Sequence, residues 1–138
     1  MKTVVITGST RGFGYEMAKM FLLQKCNVVI SGRKQATVEE TCEKLRNETQ
    51  NTNVKGFSCN VTDINALEKL WNFAKSEFQK VDIWINNAGV NQPDRFIWEI
   101  GKPDIDHLID IDLKGTVYGS KVAMNGMIQQ GFGFIYNV

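Results

Sequence analysis

Thr3-Val4-Val5-Ile6-Thr7-Gly8-Ser9-Thr10-Arg11-Gly12-Phe13-Gly14 is the stretch that decides the fold. Its first four residues are all β-branched, which suits a buried strand. The next part carries glycines at the spacing Gly-x-x-x-Gly-x-Gly, and from Gly14 onward Met17, Phe21 and Leu22 fall on one helical face. The order is therefore strand, glycine loop, helix. At such a junction glycine permits a tight turn and close backbone approach. The helix start adds unpaired N–H groups and a positive dipole end, which together suit a phosphate. Glycine also serves ordinary turns through its tolerance of positive φ. Its place between a strand and a helix is what makes Gly8, Ser9, Thr10, Arg11, Gly12, Phe13 and Gly14 candidate phosphate-binding residues. No Gly-Lys-Ser/Thr follows, so the loop is not of the nucleoside-triphosphatase type.

Working outward, the same alternation runs through all 138 residues. Strand-like runs occupy 27–31, 81–85 and 133–138, with a weaker one at 53–59. Between them Val38, Cys42 and Leu45 mark a short helix with a charged outer face. Leu67, Leu70, Trp71, Ala74 and Phe78 mark a strongly periodic one. From Pro103, suited to a first helical turn, one long helix is expected through Leu108, Ile111, Gly115, Tyr118 and Val122. The pattern β-α-β-α-β-α-β-α-β predicts an α/β fold of the Rossmann type, a doubly wound parallel sheet covered on both faces. Residues 1–138 read as one domain without repeat or linker.

Composition narrows the functions. With 43% hydrophobic and 22% charged residues the chain is not of the disordered kind, and a net charge of +1 gives no basic surplus for nucleic acid. No apolar run approaches the ~20 residues of a membrane span. The three cysteines, Cys26, Cys42 and Cys59, share no metal spacing and read as reduced thiols of a cytoplasmic protein. His107 is the one histidine, and with no partners at ligand spacing it reads as helix surface; no metal site is expected.

The second strand runs out through Ser31-Gly32-Arg33-Lys34, about twenty residues past the glycine loop. In dinucleotide folds this point faces the adenosine ribose, where an acidic residue bonds the 2′-hydroxyl. Here the acid is missing and two cations stand in its place. A 2′-phosphate would find a bidentate partner in Arg33, a further donor in Ser31 and a second guanidinium in Arg11. The expected cofactor is NADP(H) in preference to NAD(H).

Two motifs about eighty residues apart now carry a family resemblance. Thr7 to Gly14 resembles the Thr-Gly-x-x-x-Gly-x-Gly signature of the classical short-chain dehydrogenase/reductase family, and Asn86-Asn87-Ala88-Gly89 resembles its Asn-Asn-Ala-Gly signature. The likeness covers the whole chain, and Val81 to Gly89 is also similar to the chlorophyll b reductase branch. The resemblance implies that Asn87, Ala88 and Gly89 cap the fourth strand beside the cofactor. It places Asn60 and Val61 at adenine recognition, with Asn60 standing where the family usually has aspartate. It also places Asp112 where the family has an asparagine that supports a proton relay, so Asp112 is the one catalytic candidate.

The family's serine and Tyr-x-x-x-Lys, which lie beyond the fifth strand, are not in this sequence; Gly133-Phe134-Ile135-Tyr136-Asn137-Val138 stops at that strand. Tyr15-Glu16-Met17-Ala18-Lys19 has the spacing but sits on the cofactor-loop helix, and Tyr118 and Lys121 are three apart, so neither pair is expected to act. The implied function is an NADP(H)-dependent oxidoreductase acting on a small carbonyl or alcohol substrate, with this chain as its truncated cofactor-binding portion, inactive alone. The alternatives are an NADP-binding module without chemistry and an inactive truncated product. An unpaired fifth strand bearing Phe134, Ile135 and Val138 further predicts a homo-oligomer.

Overall fold

The computed structural model describes all residues from Met1 to Val138. Five strands, β1 (Thr3–Ile6), β2 (Asn27–Gly32), β3 (Val54–Ser58), β4 (Ile83–Asn86) and β5 (Phe134–Asn137), form one parallel sheet in the order β3-β2-β1-β4-β5. Five α-helices connect them: α1 (Gly12–Leu23), α2 (Gln35–Thr49), α3 (Ile64–Phe78), α4 (Lys102–Leu108) and α5 (Gly115–Gln130). The chain winds from β1 to one side through β2 and β3, then crosses back to β4 and β5 on the other. The order therefore reverses between β1 and β4, and the crevice at the carboxyl ends of those strands is where open α/β sheets bind ligands.

Side-chain alternation along the strands divides the core into two layers. Val4, Ile6, Val28, Ile30 and Ile85 face α1 and α2, where Ala18, Leu22, Val38, Cys42 and Leu45 are buried against them. Val5, Val29 and Trp84 face α3 and α5, meeting Leu67, Leu70, Trp71, Ala74, Val122, Ala123 and Met127. The register sets Val5 opposite both Val29 and Trp84, so this layer is continuous across the middle of the sheet.

A buried polar network pins β4 to its neighbours. The Trp84 indole N–H donates to Asn86 Oδ1 at 2.8 Å, while Asn86 Nδ2 donates to Ser120 Oγ at 2.9 Å and to Asn137 Oδ1 at 2.8 Å. One side chain thus joins β4, β5 and α5. The two sheet edges differ. On β3 the Ser58 N–H donates to Gln35 Oε1 and the Val54 carbonyl accepts from Arg46 Nη2, each at 3.0 Å, so side chains of α2 occupy the strand's outer groups. On β5, Phe134, Tyr136 and Val138 are exposed.

The long helix expected from Pro103 is not one regular helix. Between α4 and α5, Ile109–Lys114 form a π-helical turn. α4 buries no residue, whereas Ile111 in the wider turn is buried. The extra residue re-phases the helix so that Ile111 and Asp112 both meet the segment after β4 and α5 still packs on the sheet. The alternation Ile-Asp-Ile-Asp carries no local signal for this, because what it satisfies lies twenty residues earlier.

Asn86→Leu should leave the Trp84 N–H and the Ser120 hydroxyl unpaired and lower unfolding free energy by about 1–3 kcal/mol. Met20→Ser, on an exposed face of α1, should change it by less than about 0.5 kcal/mol. Urea unfolding followed by tryptophan fluorescence measures both.

Candidate functional site

Four loops meet at the crevice, and the one after β1 sets the geometry. Gly8 has φ +61°, and a Cβ there would lie 2.6 Å from Ala88 Cα, so the loops after β1 and β4 touch backbone to backbone. At Gly14 a Cβ would meet the Asn87 amide and stand 2.7 Å from the Gly8 carbonyl, which lets α1 start directly against the loop.

The contact is locked by hydrogen bonds. Asn87 Nδ2 donates to the carbonyls of Thr7 (3.0 Å) and Gly8 (2.9 Å). The backbone N–H groups of Asn87 (3.0 Å) and Ala88 (3.1 Å) donate to Thr7 Oγ1, which itself donates to the Ile85 carbonyl at 3.4 Å. Ser9 does the same work toward β2. Its hydroxyl donates to the Ile6 carbonyl at 2.7 Å and accepts from the Ser31 N–H at 3.0 Å.

These ties frame a cleft of about 310 Å³, within the usual size of a small-ligand site. Gly8, Thr10 and Arg11 line it from the first loop; Gly32, Arg33, Lys34 and Thr37 from the second; Cys59, Asn60 and Val61 from the third; Ala88, Gly89 and Val90 from the fourth; Ile111 closes it from the π turn. No acidic side chain is among them. Arg11, Arg33 and Lys34 are exposed and take part in no ion pair. Burial pushes the Cys59 thiol up to about 12, so it lines the cleft as a neutral group.

The expected site residues divide into three groups. Gly8, Thr10, Arg11, Arg33, Asn60, Val61, Ala88 and Gly89 line the cleft directly. Ser9, Gly14 and Asn87 hold its frame rather than its surface. Ser31, expected as a phosphate donor, is instead fully buried, off the cleft, with its hydroxyl unpartnered; alternation along β2 turns it into the sheet's interior. Phe13 is exposed and Gly12 open, both outside the lining.

Asn60 uses its carbonyl locally. Oδ1 accepts from the Thr62 N–H (3.0 Å) and hydroxyl (2.8 Å), leaving the amide NH₂ without an intramolecular partner. Asp112 is no free surface acid: its Oδ1 accepts the Val90 N–H at 2.8 Å, and a Cβ at Gly89 would lie 3.3 Å from the same oxygen. Sequence reasoning missed Gly32, Thr37, Cys59, Val90 and Ile111 as cleft walls. Val90 follows directly on the Asn-Asn-Ala-Gly motif and Thr37 lies in the first turn of α2, so adjacency was the available signal.

The Tyr15/Lys19 pair lies elsewhere. Tyr15 is buried between α1 and α2 under Lys44, with burial raising its hydroxyl to about 12, and Lys19 bonds Glu48 at 2.9 Å. Tyr118 packs half-buried on the core, Lys121 is exposed, and His107 is exposed on α4.

The model of the short chain dehydrogenase family matches residues 2–138. A probable chlorophyll(ide) b reductase of Oryza sativa subsp. japonica is 37% identical over 99% of this chain and 30% of its own length. A 3alpha-hydroxysteroid dehydrogenase of Mediterraneibacter gnavus is 29% identical over 99% of this chain and 54% of its own. Among solved structures, ElxO with NADP bound superposes with a TM-score of 0.90 at 28% identity, covering 99% of this chain and 54% of that one. A serine dehydrogenase from Escherichia coli gives 0.87 at 28%, covering 98% and 60%. The chain thus spans from about a third to somewhat over half of the relatives it matches. With the glycine loop, the Asn-Asn-Ala-Gly turn and the crevice at the strand reversal all in place, the chain belongs to the short-chain dehydrogenase family.

Proposed function

We propose that this chain is the cofactor-binding portion of an NADP(H)-dependent oxidoreductase whose substrate is a small carbonyl or alcohol. The observation that carries the cofactor choice is the second loop. Arg33 and Lys34 stand unpaired at the cleft, as does Arg11 on the first loop, and no carboxylate lines it. A ribose 2′-hydroxyl would find no acceptor there, whereas a 2′-phosphate would find charge-assisted donors. The absence of a Cβ at Gly8 lets Ala88 pack against the first loop, so both loops line the cleft side by side.

When bound, the dinucleotide supplies the hydride. The residues of this chain bind and orient it. Arg11, Arg33 and Lys34 would hold the 2′-phosphate, and the backbone from Gly8 through Gly12 would face the pyrophosphate. The free amide of Asn60 would donate to the adenine edge, with Val61 beneath it. Asp112 fixes the Val90 N–H and so the course of the Ala88–Val90 wall; its second carboxylate oxygen is free to hold a water at the proton-relay position. No tyrosine lines the cleft, and its one lysine, Lys34, is assigned to the 2′-phosphate, so we propose that the 138-residue chain is inactive alone.

Residues 1–138 are proposed to act as one domain. A cytoplasmic location is proposed on three unpaired thiols. No helix is long and apolar enough to cross a membrane, and the plant relatives bear the word chloroplastic in their names. A fluorescent fusion of the full-length gene product distinguishes the two compartments. Self-association is proposed through the exposed β5 edge. Light scattering at rising concentration should show a dimer or larger species, and a clean monomer refutes it.

NADPH should bind at least about tenfold tighter than NADH, the worth of a charge-assisted pair of ~1.5 kcal/mol. Arg33→Asp should abolish that preference without unfolding the chain. Fluorescence titration of both cofactors reads it, and equal affinities in the unaltered chain refute NADP(H).

Adenosine 2′,5′-bisphosphate should bind within about fivefold of NADPH, a difference below ~1 kcal/mol, because every proposed contact is to the adenosine half. Calorimetry compares the two. An NADPH-oxidation assay on the isolated chain with simple ketones should show no turnover, and ordinary enzymatic rates would overturn its proposed inactivity.

A further inference from the structure

Charge is unevenly spread around the crevice. Arg11, Arg33 and Lys34 stand on the loops after β1 and β2. On the other side of β1, directly behind the loop after β4, Asp112 places a carboxylate. Its Oδ1 accepts the N–H of Val90, a cleft wall, at 2.8 Å. A Cβ at Gly89, another wall, would lie 3.3 Å from the same oxygen, so no side chain separates the carboxylate from the backbone that lines the cleft there. Ile111, its neighbour in the π turn, is a wall as well.

No cation neutralises this group. Asp112 forms no ion pair, and its bonded partner is a neutral N–H. The cations on its own segment are committed elsewhere: Lys114 bonds Asp110 at 2.7 Å, and Lys102 bonds Asp106. Arg95, His107 and Lys121 make no bond to it, while Asp94, Glu99 and Asp104 add negative charge along the same connection. Asp112 is half-buried, so salt screens its charge less than that of a surface acid.

A dinucleotide lies across the point where the strand order reverses, with one half on each side. With the adenosine half assigned to Arg33 and Asn60, the nicotinamide half falls to the β4 side, where Ala88, Gly89, Val90 and Ile111 are the walls. That ring is a cation when oxidised and neutral when reduced. We propose that the Asp112 carboxylate selects the oxidation state of the cofactor, so that the cleft holds NADP⁺ tighter than NADPH. The proposal rests on the cofactor reading given above and adds a redox preference to it. By linkage, tighter holding of the oxidised form lowers the potential of the bound couple, by about 30 mV for a tenfold ratio, and makes the bound cofactor a stronger reductant.

The test is calorimetric titration of the 138-residue chain with NADP⁺, NADPH and adenosine 2′,5′-bisphosphate. NADP⁺ should bind about three- to tenfold tighter than NADPH. Asp112→Asn keeps an oxygen for the Val90 N–H and removes the charge. It should bring the two dinucleotides within about twofold of each other, chiefly by weakening NADP⁺. The bisphosphate has no nicotinamide, and its affinity should stay within about twofold in that variant. Equal affinities for NADP⁺ and NADPH in the unaltered chain overturn the proposal, and that comparison needs no variant. So does an unchanged ratio in Asp112→Asn. A loss of bisphosphate binding as large as that of NADP⁺ also overturns it, because Asp112 is then a support of the wall alone. If neither dinucleotide nor the bisphosphate binds, the cofactor reading falls with the proposal; if all three bind and the dinucleotides bind equally, the proposal falls alone.

Discussion

Everything at the crevice depends on one hydroxyl. Thr7 Oγ1 accepts two backbone N–H groups from the turn after β4 while donating to the Ile85 carbonyl within β4. Asn87 returns the connection by donating to the carbonyls of Thr7 and Gly8. Neighbouring strands that part at their carboxyl ends would ordinarily leave these groups to water. Here they pair with one another, so two glycine-containing turns are held at backbone contact. Thr7→Val would remove the acceptor and leave two N–H groups to find others, which is costly where the surroundings are dry.

That rigidity extends unevenly. On the β2 side it passes through Ser9, whose hydroxyl joins the end of β1 to the Ser31 N–H. On the β4 side it passes through Asp112 to Val90. The three cations of the cleft belong to neither network. They extend from the framework with no partner of opposite sign, so the cleft carries uncompensated positive charge.

Much of this was legible in the residues. The β-branched runs at 3–6 and 27–31, the glycine spacing and the periodicity of Leu67, Leu70, Trp71 and Ala74 each have one local solution, and the structure adopts it. The two signatures then located the cleft loops. What was not legible depends on partners distant in sequence. Ser31 reads as a donor at the end of a strand, yet the strand's alternation turns it inward. The Ile109–Lys114 segment reads as ordinary helix, yet the demand of the Val90 N–H and the packing of Ile111 widen it. Thr37 and Cys59 become cleft walls only once β2 and β3 lie side by side.

The unequal edges of the sheet have a consequence for how copies can add together. Gln35 and Arg46 occupy outward groups of β3, while β5 remains open. A strand arriving at β3 would have to displace the Gln35 and Arg46 side chains from the Ser58 N–H and the Val54 carbonyl before it could pair there. The two margins of the sheet are therefore not interchangeable: α2 sets a barrier to strand addition at β3 that has no counterpart on β5.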